Sequence, residues 1–189
     1  MKRMVLIGGL ISALGFAVLA ASAAASANFA GTWNLDKAKS TGLSSRLQNA
    51  DSVQWVITQD AKQITIESKV TGGQPPAGSG GGGGMGSGGG QGRGMGGGMM
   101  GPQSYNLDGK QVTTDGPNGG TTTRKATWSS DGQTLELSSA RTGNFNGYEF
   151  KFTSTDKLQL SGDGKVLTVT RHSEGNRGTT DSTLVFNKP

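Results

Sequence analysis

The sequence predicts an all-β fold: an antiparallel up-and-down meander of about ten strands, closed into a barrel. Three observations carry that expectation. Apolar residues recur at every second position from Phe29 to Phe186, the period of strands buried on one face. Helical spacing is absent after the first 27 residues, apart from one short helix allowed within 40–50. The connections between runs alternate between long and tight.

The first element is an address rather than a strand. Lys2 and Arg3 give a positive start, residues 4–21 carry no charge, and Ala25-Ser26-Ala27 offers the small-x-small pattern of a cleavable export signal. The competing reading is an uncleaved membrane anchor, since the apolar run approaches the ~18 residues a span requires. Gly8, Gly9, Ser12 and Gly15 dilute that run, so cleavage near Ala27–Asn28 is expected. It would leave no integral membrane segment and deliver the chain to the periplasm or the medium. Residues 28–189 then form a single barrel domain, interrupted at 72–101 by a disordered Gly/Met-rich insertion. That insertion holds eighteen of the 34 glycines in the 189-residue chain, so the rest has an ordinary composition and enough apolar side chains for a core.

The strands follow in order. Phe29, Trp33 and Leu35 share a face in the first; Val53, Trp55 and Ile57 in the second; Ile64, Ile66 and Val70 in the third. Tyr105 and Leu107 mark a short fourth run and Val112 a weak fifth. Ala126 and Trp128 belong to the sixth, at 121–129, and Leu135 and Leu137 to the seventh, at 133–141. The eighth is long, with Tyr148, Phe150, Phe152, Leu158 and Leu160 in one parity, unless a turn at Thr155-Asp156 divides it. Leu167 and Val169 define the ninth, Leu184 and Phe186 the tenth.

Asp60-Ala61-Lys62, Asp108-Gly109, Ser130-Asp131-Gly132 and Gly162-Asp163-Gly164 are tight turns, where Asp and Gly accept the backbone that chain reversal demands. Longer loops are expected at 36–51, 71–102, 114–120, 142–147 and 173–178. In a meander, successive connections lie at opposite ends, so the tight turns make a base and the long loops a mouth. Closure into a barrel removes the edge strands, which suits a chain with no cysteine and hence no disulfide. An open or two-layer sheet would use the same hairpins.

Asn28-Phe29-Ala30-Gly31-Thr32-Trp33-Asn34-Leu35, with its Gly-x-Trp core, resembles the first strand of the lipocalin superfamily. Together with Lys39-Ser40, the run from Asp163 to His172 and Thr183-Leu184-Val185-Phe186, it is similar to exported bacterial lipocalin-like proteins. The resemblance implies an up-and-down barrel with an internal pocket for a small, mostly apolar ligand. The chain departs from that pattern in its glycine-rich insertion and its lack of disulfides. Its ten strands are closer to intracellular fatty-acid-binding barrels.

Parity also nominates a site. Arg124, Arg141 and Arg171 share the inward faces of their strands and lie toward the long loops, with Tyr105, Tyr148, Ser139 and Ser182 in the same layer. Three guanidiniums above an apolar interior suit a carboxylate or phosphate head group, because arginine presents a planar fork of donors. The tail would lie against Trp33, Trp55, Phe150 and Phe152. The alternative is that the arginines are rim residues reaching water or paired with carboxylates such as Asp51.

Catalysis is not expected: His172, the one histidine, faces outward, most aspartates are explained by turns, and no inward carboxylate pair emerges. No cofactor is implied. With Lys2 and Arg3 set aside, 16 basic residues face 13 acidic ones, too weak an excess to imply nucleic acid. The expected function is therefore a non-enzymatic exported barrel binding a small amphipathic or anionic hydrophobic ligand at its loop-bearing end. One alternative is a structural or surface-interaction module with a filled barrel. Another is Cu(I) or Ag(I) buffering by the thioethers of Met85, Met95, Met99 and Met100.

Overall fold

In the computed structural model the described residues are 26–72, 101–116, 120–145, 148–176 and 178–189. Residues 1–25 of the expected signal and the four methionines of the insertion lie outside them. Ten strands form: β1 Gly31–Leu35, β2 Ala50–Gln59, β3 Gln63–Gly72, β4 Gln103–Asn106, β5 Val112–Asp115, β6 Thr121–Trp128, β7 Thr134–Phe145, β8 Tyr148–Leu160, β9 Val166–Gly175 and β10 Gly178–Asn187. One short helix, α1 (Ser45–Asn49), falls in the connection from β1 to β2. Lys37 ties its C-terminal end by donating from Nζ to the Gln48 and Ala50 carbonyls.

All ten strands belong to one antiparallel sheet in the order β4-β3-β2-β1-β10-β9-β8-β7-β6-β5. β1 and β10 pair directly, bringing the two ends of the meander together (Asn34 opposite Asn187, Leu35 opposite Phe186). The expected closure is incomplete at one seam, because β4 and β5 do not pair. The cause is local: each has four residues, β4 pairs with the base half of β3 and β5 with the mouth half of β6. The result is a nearly closed barrel.

The tight turns form as the sequence implies. In two of them a serine hydroxyl donates to the turn aspartate at 2.6 Å, Ser129 to Asp131 and Ser161 to Asp163, while each aspartate accepts the amide of the residue two positions on. Gly132 and Gly164 supply the positive φ that completes the reversal. At the mouth the structure corrects two expectations. Residues 142–147 and 173–178 are not long loops: β7 runs to Phe145 before β8 starts at Tyr148, and β9 runs to Gly175 before β10 starts at Gly178. Alternation continues through both stretches, but threonine, glycine, asparagine and glutamate carry it, so apolar spacing did not mark them as strand. No turn interrupts β8 at Thr155-Asp156, which pair with Ser138 and Leu137 on one side and His172 and Arg171 on the other.

The core occupies the base half of the barrel. Trp33, Phe29, Ile64, Leu135, Leu158, Leu167 and Val169 are wholly buried. The chain before β1 crosses the base and closes it. Ala27 donates its amide to the Gly132 carbonyl, and Gln59 accepts the Phe29 amide while donating to the Ala27 carbonyl. Phe29 stacks on Trp128 at 6.0 Å between ring centroids, and its carbonyl accepts the Trp33 indole N–H at 2.9 Å. A depression of about 450 Å³ beside this plug is lined by Gln59, Asp60, Leu107 and Trp128. Both ends of the Gln59 amide are already used in closing the base.

Candidate functional site

The strand register sorts the inward side chains of β6–β10 into successive rows from base to mouth. The deepest complete row is apolar: Trp128, Leu135, Leu158, Val169 and Leu184. The next is mixed: Ala126, Leu137, Asp156, Arg171 and Ser182. Above it come Arg124, Ser139, Ser154 and Ser173, and then Thr122, Arg141, Phe152 and Gly175. The last inward positions, on the β7–β8 hairpin alone, are Gly143 with Phe150 and then Tyr148. The lumen thus passes from a packed apolar floor through a band of hydroxyls and charges to an aromatic rim.

All three arginines face inward, and the structure divides their roles. Arg171 makes a fork with Asp156, donating from Nε to Oδ1 at 2.7 Å and from a terminal nitrogen to Oδ2 at 2.6 Å. Its guanidinium also lies 5.8 Å from the Trp55 ring. Burial works against its charge, but the hydrogen bond and charge of Asp156 outweigh that and hold its pKa above the ordinary value. Arg141 is exposed at the rim, 5.7 Å from the centre of the Phe150 ring. Arg124 lies between them, half-buried and engaged with partners. The carboxylate that meets an arginine is Asp156, not Asp51. Asp51 is exposed at the mouth end of β2, beside Gly72.

Tyr105 enters the same band from β4 and is 5% exposed. Its hydroxyl donates to Gln103 Oε1 at 3.2 Å. Burial pushes its pKa up to about 12, and the negative charge of Asp156 adds to the shift. The phenol therefore stays protonated across the physiological range and serves as a hydrogen-bond donor. Ser182 is half-buried opposite Arg171, and Ser139 lies next to the Tyr105 phenol.

The aromatic residues separate into two groups. Trp33 and Trp55 belong to the packed floor, 0% and 6% exposed, with Trp55 at 4.7 Å from Phe186. They fill the floor rather than line an open space. Phe152 and Tyr148 are 45% and 81% exposed, toward the tip of the β7–β8 hairpin, which extends past the ends of β6 and β9. Phe150 is half-buried. Glycines seat the two rings: a Cβ at Gly143 would stand 2.6 Å from Phe150 and one at Gly175 3.1 Å from Phe152. Each ring approaches the backbone of its glycine partner more closely than any other residue would allow.

Asp156, Ser154 and Ser173 are the site residues that sequence reasoning missed. Ser173 donates to Ser154 and Ser154 to Asp156 Oδ1, both at 3.3 Å. Their signal was present, since all share the parity of Leu158 or Val169. A turn at Thr155-Asp156, which the sequence also allows, would have reversed the orientation of everything after it. Outside the barrel, His172 is half-exposed and sits between Asp181 (2.6 Å) and Glu174 (3.3 Å). First Asp181 and then Glu174 raise its pKa. Among the described residues no group of three or more His, Cys, Asp or Glu side chains is arranged to hold a metal ion.

No protein-family model matches the chain, and no curated protein matches it. Among solved structures, the zebrafish ileal bile acid-binding protein in complex with cholic acid superimposes with a TM-score of 0.45 at 13% identity. The match covers 85% of this chain and 98% of that one.

Proposed function

We propose that the protein is an exported, non-enzymatic binding barrel that takes a small amphipathic molecule at its mouth. The observation that supports this reading is the inversion of polarity along the lumen. A hydroxyl- and guanidinium-bearing band lies between a packed apolar floor and an aromatic rim whose rings are open to solvent. An apolar rim left in water is a poor arrangement unless something covers it. A molecule with one polar end and one apolar body matches the lumen from band to rim. Its polar end descends to the level of Arg171, Asp156, Tyr105 and Ser154, and its body rests on Phe150, Phe152 and Tyr148. This reverses the orientation expected from parity alone, because Trp33 and Trp55 are occupied with core packing.

Acid–base chemistry has little support in the same geometry. Asp156 is committed to Arg171, Tyr105 holds its proton, and His172 stands on the outer surface. A filled structural barrel is the second reading, favoured by the complete burial of Trp33 and the near-complete burial of Trp55. Calorimetric titration of the full chain with lauroyl monoglyceride and, separately, with laurate distinguishes the two. Saturable binding of either, weakened about tenfold by Phe152→Ser through loss of an apolar contact, supports the binding barrel. No saturable heat with either amphiphile, or an affinity indifferent to Phe152, supports the filled module.

A further inference from the structure

We infer that Asp156 is a specificity determinant of this site, and that it sets the polar end of the ligand as neutral and hydroxyl-bearing rather than as a carboxylate. The inference rests on the binding reading above and names the ligand class. It starts from the charges of the deep band. Arg171, the guanidinium nearest the packed floor, spends two donors on Asp156 in a parallel fork, with the carboxylate side chain 14% exposed and the guanidinium 31%. To hold a ligand carboxylate, Arg171 would have to release Asp156. That would leave a half-buried negative charge without its partner and place a second one beside it. Arg124 is half-buried near the Tyr105 phenol and has an interaction of its own. Arg141 remains at the rim, stacked on Phe150 in water, where screening makes an ion pair weak.

A neutral hydroxylated group meets no such opposition. Ser139, Ser154, Ser173 and Ser182 bring hydroxyls to the inner face of four adjoining strands, and Tyr105 adds a buried phenol. A serine hydroxyl has one donor and two acceptor positions, so the Ser173–Ser154–Asp156 chain retains capacity for further hydrogen bonds. A glycerol or sugar hydroxyl, itself donor and acceptor, fits a surface of that kind without displacing the ion pair. A site built to hydrogen-bond hydroxyls also discriminates strongly, because a ligand lacking them leaves buried polar groups unmatched.

The test compares lauroyl monoglyceride with laurate, two ligands of equal acyl chain and different head, by calorimetry at a pH where laurate is ionised. Wild type binds the monoglyceride at least about tenfold tighter than laurate. Asp156→Asn keeps the side-chain shape and removes the charge, so the ratio moves about tenfold or more toward laurate as Arg171 becomes available. Ser154→Ala with Ser173→Ala, which leaves the ion pair in place, weakens the monoglyceride severalfold and leaves laurate unaffected. This second arm decides the matter if Asp156→Asn fails to fold. Laurate binding as tightly as the monoglyceride to wild type overturns the ligand class while leaving the binding barrel standing. So does an unchanged ratio in folded Asp156→Asn. Wild type that binds neither overturns the binding reading and this inference with it.

Discussion

Glycine at 143 and 175 does something at the level of single residues that composition never suggests. Each faces a phenylalanine across the strand pair and lets the ring settle onto the backbone. Gly143→Ala meets the far end of the half-exposed Phe150 ring and moves it aside, so it is expected to destabilise the protein by no more than about 1 kcal/mol in urea titration. Gly162→Ala, where a Cβ meets nothing within 4 Å, serves as control and is expected to stay within about 0.5 kcal/mol of wild type.

His172 carries a second residue-scale prediction. Its folded pKa lies above 6.5 because protonation completes contacts to Asp181 and Glu174, with Thr155 of β8 on its other flank. The stabilisation is fully present below the unfolded pKa and fades as pH rises through the folded value. An NMR titration should place the His172 midpoint above 6.5. His172→Gln should remove that part of the pH dependence of unfolding; an identical pH profile in the variant would refute the link.

Elements, by contrast, were largely legible. Nine tight or long connections separate ten strands because period-two alternation and Asp-Gly chemistry are local signals, each satisfied within a few residues. The outward aspect of His172 followed from parity alone. Misreadings came where the local signal was ambiguous. The ends of β7 and β9 are strands held by backbone pairing to long partners, so their polar residues hid them. Alternation assigns the segment before β1 to the strand, whereas it leaves the sheet to plug the base. That plug has a measurable weight. Phe29→Ala removes a wholly buried ring stacked on Trp128 and is expected to cost about 3–5 kcal/mol in chemical denaturation. A chain beginning at Asn28 instead of Ser26 loses the two Ala27 hydrogen bonds, for about 1–2 kcal/mol. Equal stability of the two chain lengths would show that the plug begins at Phe29.

At the scale of the whole molecule, alternation in the amino-acid sequence determined the all-β meander, the inward or outward aspect of nearly every strand residue, and the base with its tight turns. Those follow from a two-residue repeat that cannot be satisfied by a helix. Parity also found the three arginines. It did not find what each arginine touches, because a partner such as Asp156 lies fifteen residues from Arg171 along the chain, and only strand register brings them together. Nor did it tell a ring that fills the core from a ring that lines a mouth. Trp55 and Phe152 have the same inward aspect, yet one is 6% exposed and the other 45%. The difference is position along the barrel: Trp55 packs against Phe186 and Arg171, whereas Phe152 lies toward the tip of the long β7–β8 hairpin. Strand lengths and register set that, and neither is written in the residues themselves.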